Sequence, residues 1–208
     1  MARTAVEEIR DAAASRGLEL APGLNAEEIA ALQDDVGAPL PRELTDVLAE
    51  TAGSGDVDFT GRSMNWEAPE LFPSGLPVAT DGAGNFWVLD LTPTTTESAP
   101  VFFVAHDPPV VIYQTPSLGQ FLHELFTGGP DVDTWTTPAT RSDATVDVFA
   151  RELGEGWEIV DLRTAEPGAG FEWGRFGPLT ELRRCGYERL FALKAPERKP
   201  GLLRRLFG

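Results

Sequence analysis

The sequence predicts an α+β fold, a mixed or mostly antiparallel sheet covered by helices, with a smaller α+β extension at the C-terminal end. Three observations predict it. Residues 76–91, LPVATDGAGNFWVLDL, set two apolar runs on either side of a turn holding Gly82 and Gly84. Glycines free to take φ > 0 between β-prone runs are the pattern of an antiparallel hairpin. Stretches with apolar residues at helical spacing lie on both sides of that hairpin. A second helix-and-strand cycle begins at Ser142. With 208 residues and 42% apolar content the chain is long enough to bury a good core.

In chain order, residues 2–16 read as a helix. Thr4 and Glu7 have capping-box spacing, and Val6, Ile9 and Ala13 share a thin face, which predicts a peripheral element. Gly17 ends it. Asn25 with Glu28 opens a second helix whose Ile29, Leu32 and Val36 line one side, and Gly37 stops it. Pro41 sits where a first helical residue belongs, because its missing N–H costs little there. Leu44, Val47, Leu48 and Thr51 then form a stripe for burial. Residues 56–75 show no clean period and read as a long loop pinned by Phe59, Trp66, Leu71 and Phe72.

Beyond the hairpin, 92–100 is a polar, threonine-rich connection. Residues 101–106 and 110–115 are strands split by Asp107-Pro108-Pro109, since neither proline can donate to a ladder. Ser117 caps a helix with Leu118, Phe121, Leu122 and Leu125 at i, i+3, i+4 and i+7. In the C-terminal third, Val146, Phe149, Ala150 and Leu153 give a helix and 157–162 a strand. Residues 166–177 are glycine-rich and irregular. Residues 178–186 read as a short helix between Pro178 and Gly186, and 187–195 as a strand. The expected organisation is an N-terminal helix (1–19), a main domain (20–127), a linker (128–141), an α+β extension (142–195) and a basic tail (196–208). In that tail Leu202, Leu203, Leu206 and Phe207 surround Arg204 and Arg205.

Charge narrows the partners. The formal net charge is −16, and it is unevenly spread. Residues 1–162 hold 7 Lys/Arg against 28 Asp/Glu, and residues 163–208 hold 10 against 5. The body repels nucleic acid and anionic lipid and attracts a basic protein. No apolar run approaches the length of a membrane span. The amphipathic N-terminus lacks a signal-peptide core, and a single cysteine, Cys185, leaves no internal disulfide; the expected compartment is the cytoplasm.

The chemistry-bearing residues do not assemble a catalytic motif. Gly82-Ala83-Gly84 is not a dinucleotide fingerprint, because Trp87 stands where the third glycine belongs and a strand follows. Residues 81–85 lack the sixth-position glycine and closing glutamate of an EF-hand, so Asp81 and Asn85 are expected to hydrogen-bond their own turn. His106 beside Asp107 has the make-up of a base but no evident nucleophile partner. His123 falls on the polar side of its helix. Cys185 next to Arg183 and Arg184 reads as an ordinary thiol. Two histidines and one cysteine spread over 80 residues do not form a zinc pattern. No metal, cofactor or enzymatic activity is expected.

The order of segments is the remaining signal. NAEEIAALQDDVGAPLPRELTDVLAETAG, a long loop, LPVATDGAGNFWVLDL, VFFVAHD and the closing SLGQFLHELF together resemble the SMI1/KNR4 (SUKH) family over residues 20–127. The positions that carry the likeness are Gly37, Leu40, Pro41, Gly53, Asp81, Gly82, Gly84 and Asn85. The resemblance implies a SUKH-like α+β fold and a non-catalytic protein-binding role. Bacterial members are similar to immunity proteins that neutralise toxins, often nucleases, which predicts a basic protein toxin as partner. The expected mode is occlusion by a concave sheet face with the loops 56–75 and 81–85, and Trp66, Asp81, Asn85 and Trp87 are the candidate contacts. The alternative follows the fungal namesakes: a cell-wall-related regulator docking partners through residues 196–208.

Overall fold

The computed structural model describes residues 3–64, 70–92 and 97–196. Its architecture follows from alternation along four central strands, β3 (Gly75–Thr80), β4 (Phe86–Asp90), β5 (Val101–Val104) and β6 (Val110–Thr115). Trp87, Leu89, Val101, Phe103, Val110 and Ile112 point into one core. Their sequence neighbours Val88, Phe102, Val104, Val111 and Tyr113 point into another. Successive strand side chains must face opposite sides, so runs that are apolar at every position demand cover on both faces.

Helices supply the first cover. α1 (Ala5–Arg16), α2 (Ala26–Val36), α3 (Arg42–Glu50) and α4 (Leu118–Thr127) press Ile9, Leu32, Leu44, Val47, Leu48, Phe121 and Leu122 onto the sheet. The capping boxes form as their spacing predicts, with Thr4 and Glu7 opening α1 and Asn25 and Glu28 opening α2. α1 is not peripheral. Ala5, Ile9 and Ala12 are buried, one step round the helix from the face expected, and Ile9 has no exposed surface. The helix lies against α3 and α4. Pro41 is the N-cap of α3, not its first residue. Glu43 of α3 accepts the Leu118 and Gly119 N–H groups at 3.0 and 2.7 Å, satisfying α4's orphan donors from another helix.

The full sheet runs β1-β2-β3-β4-β5-β6-β8, with β1 (Gly53–Ser54), β2 (Val57–Asp58) and β8 (Gly170–Glu172), and every pairing in it is antiparallel. The segment 56–75, expected as loop, therefore contributes β2, whose Val57 pairs with Ala79. The irregular stretch 166–177 contributes β8 beside β6.

The second cover comes from the C-terminal third. β7 (Trp157–Asp161), β10 (Leu190–Lys194) and β9 (Glu181–Arg184) form a three-stranded antiparallel sheet. Val160, Phe191 and Leu193 pack with Phe72, Phe102 and Phe171 against the far face of the large sheet. On the outer side of the small sheet, α5 (Ala144–Leu153) packs Val146 and Phe149 against Leu190 and Ala192. The layers are thus helices, large sheet, small sheet, helix. The helix expected over 178–186 is absent; residues 181–184 are β9. Its Leu182 pairs with Leu193 of β10, and Gly186 turns the chain with φ 49°. The neighbouring strand, not local propensity, decides this segment.

One ion pair fastens the two sheets. Arg184 on β9 meets Asp90 on β4 through two hydrogen bonds, at 3.1 and 2.7 Å, and both side chains are sealed from water. Arg184 also donates to the Leu71 and Glu188 carbonyls and lies over the rings of Phe72 and Phe191. A buried charge pair persists only where such additional partners satisfy its remaining donors.

Candidate functional site

The reversal between β3 and β4 is the best-defined surface feature among the candidate contacts. Asp81 and Gly82–Gly84 are exposed and Asn85 is half-buried. Gly82 and Gly84 have φ of 75° and 91°, as a tight turn here requires. The Asp81 carboxylate accepts the Ala83 N–H at 2.8 Å, the Asn85 N–H at 3.2 Å and the Asn85 side-chain amide at 2.7 Å. Burial pushes its pKa up, but the Asn85 amide and the two backbone donors outweigh burial and hold it below the ordinary carboxylate value. Asn85 in turn accepts the His106 N–H at 3.3 Å, which ties this turn to the connection between β5 and β6. A Cβ on Gly84 would lie 3.0 Å from the His106 ring, so the two loops touch. The result is a preformed, negatively charged turn.

Trp87 is placed differently. It is 7% exposed and packs its ring against Phe103 and Phe121, with centroids 5.1 and 5.9 Å away. It is a core residue, almost wholly withdrawn from the surface. Trp66 lies outside the described residues. Asp81 and Asn85 are therefore the two candidates that the structure brings together at the surface.

A second acidic anchor sits in the 56–75 region. Asp58 accepts the backbone N–H and hydroxyl of both Thr60 and Ser63, at 2.6 to 2.9 Å. Burial pushes its carboxyl up, but the Ser63 and Thr60 donors more than offset that.

The expected concave sheet face is not available. Helices cover one side of the large sheet and β7, β9 and β10 cover the other. Among the described residues, most of the basic side chains of the C-terminal third are engaged within the fold. Arg163 binds Asp143 and Asp161, Arg175 binds Glu158, Arg184 binds Asp90, and Arg189 lies over the Tyr113 ring. In the sequence Arg184 stands out only as a neighbour of Cys185. The signal for its real role was an apolar-flanked Asp90 at the end of a strand that had to be buried.

His106 is exposed, and its ring faces Gly84. Cys185 is half-buried; burial first, then Glu188 and Glu152, push its thiol up, so it is protonated at neutral pH. His123 is mostly exposed, with Nδ1 3.3 Å from the buried Glu8 carboxylate. Among the described residues no three of His, Cys, Asp and Glu are grouped to hold a metal ion, and no helix is long and apolar enough to cross a membrane.

Compared with known families, residues 23–124 match the one described as SMI1 / KNR4 family (SUKH-1). The match starts just before α2 and ends within α4, so it takes in the helices and hairpin described above, but neither α1 nor the C-terminal cover. No curated protein matches the chain.

Proposed function

With residues 23–124 belonging to the SMI1/KNR4 family (SUKH-1), we propose that the chain is a non-catalytic protein-binding protein of the bacterial cytoplasm, an immunity protein that neutralises a basic toxin by covering its working surface. Charge carries the reading. Residues 23–124 contain two arginines and no lysine against sixteen Asp and Glu. A nuclease grips phosphates with Lys and Arg, so its working face is the electrostatic complement of this domain. Such complementarity speeds encounter and weakens as salt screens it beyond about 8 Å.

Because both sheet faces are closed, contact falls to turns and helix surfaces. Asp81 and Asn85 are the proposed contacts in the β3–β4 turn. Their mutual hydrogen bonds fix the turn before binding, which reduces the ordering cost of association.

The test is capture and rescue. The product of a neighbouring toxin-like gene should be pulled down by the purified chain, and co-expression should restore growth to cells making that toxin. Capture should slow as salt rises. If no neighbouring effector is captured or neutralised, the reading fails.

A further inference from the structure

A cleft of about 520 Å³ opens where the C-terminal end of α4 meets the segment after it, walled by Gln114, Glu124, Asp131, Trp135, Pro167 and Gly168 among others. We propose that this cleft receives one guanidinium side chain, an arginine of the protein partner. The inference rests on the protein-binding reading above and deepens it by naming a subsite and its chemistry.

The polar groups of the cleft want a donor. Gln114, near the end of β6, is 6% exposed. Its Nε2 lies 3.5 Å from the Glu124 carboxylate, and its Oε1 is buried with no hydrogen-bond partner among the described residues. A buried acceptor left unsatisfied is uncommon and calls for an explanation. Glu124 adds a carboxylate, held by Gln120 at 3.2 Å. Asp131 adds a second, its oxygens taking the Asp133 N–H and the Thr134 hydroxyl at 3.1 and 3.2 Å. The negative end of the α4 dipole points the same way. Among the described residues no lysine or arginine lines the cleft, and Trp135 supplies an aromatic wall. A guanidinium stacks on such a ring while its forked N–H groups reach carboxylates and a carbonyl oxygen, which a compact ammonium does less well.

The walls are fastened to one another. The Thr136 N–H donates to the Gly168 carbonyl at 3.1 Å, the Gly168 N–H to Tyr113 at 2.8 Å, and the Gly170 N–H back to Thr136 at 3.0 Å. Gln114 and Glu124 belong to the family domain, while Asp131, Trp135 and Gly168 follow it in sequence. The site is thus completed by residues that family membership does not supply, as a determinant of partner choice would be.

The probe is N-acetyl-arginine amide, added to the full-length protein and followed by amide NMR, with N-acetyl-citrulline amide as the uncharged isostere. Arginine amide should shift the Gln114 side-chain amide and the Trp135 indole N–H saturably, with a Kd on the order of millimolar for so small a ligand. The citrulline probe should leave both in place. Glu124→Gln with Asp131→Asn should weaken the effect about tenfold or more, with an unchanged thermal midpoint showing that the fold is intact. Equal shifts from citrulline, no shift from arginine, or shifts indifferent to the double variant overturn the proposal. A chain that captures a neighbouring toxin but ignores the arginine probe overturns the cleft alone. One that binds the probe as stated but captures no effector supports the cleft and overturns the toxin reading.

Discussion

At the scale of single residues, Arg184 and Asp90 set the terms on which the two sheets meet. Both are withdrawn from water, and each depends on the other to offset its desolvation. Asp90 also accepts the Thr92 N–H at 3.2 Å, so the carboxylate orders the exit from β4 as well. Arg184→Met removes the cation and leaves a buried carboxylate with no counter-charge. The expected loss is about 3–5 kcal/mol, seen as a lower urea midpoint. Adding Asp90→Asn should recover part of that loss, because the amide carries no charge and still accepts from Thr92. A single variant as stable as the parent, or a double variant no better than the single, contradicts the assignment.

At the scale of elements, short-range chemistry was legible in the sequence and long-range choice was not. The two capping boxes, the β3–β4 reversal and the Asp81–Asn85 bonds each lie within a few residues, so spacing alone revealed them. Which way Trp87 faces was not legible, because Phe86 and Val88 on either side are equally apolar. β9 was missed because Glu-Leu-Arg-Arg favours helix until β10 lies beside it. The junction of α5 with β7 was hidden for the same reason. There Asp143 caps α5 through the Thr145 and Val146 N–H groups, and Arg163 bridges it to Asp161. The Arg163 guanidinium, then the Val146 N–H, lower the Asp143 pKa to about 2, against the opposing effect of desolvation. A folded-state pKa below the unfolded value of about 3.9 stabilises the fold above that value. The stabilisation is lost as pH falls through the folded pKa. Asp161 is lowered by the same arginine and acts in the same direction. Asp143→Asn keeps a capping oxygen but loses the titrating charge. Its urea midpoint should therefore fall less steeply than the parent's between about pH 4 and pH 2. Parallel curves would show that the Arg163 contact does not contribute.

At the scale of the whole molecule, the segment that matches the family carries a sheet whose second face is built over by the C-terminal third. The strands FWVL, VFFV and VVIY are apolar at nearly every position, and a face left to water would not be. In this chain β7, β9, β10 and β8 fill that requirement, with Phe171, Phe191 and Leu193 completely buried in the seam. The cover and the acidic domain therefore depend on each other. Turns, edges and helix surfaces are left open to a partner, and the sheet's far face is a structural seam. Removing the cover tests this arrangement directly. A chain ending at residue 141 would expose Val88, Phe102, Val104, Val111 and Tyr113 together, a contiguous apolar patch of the kind that drives association. It should bind an apolar dye such as ANS strongly and self-associate on a sizing column, while the full chain stays dye-silent. A monomeric, dye-silent fragment that unfolds as cooperatively as the full chain would mean that the large sheet stands without its cover, and the far face would then return as a candidate binding surface.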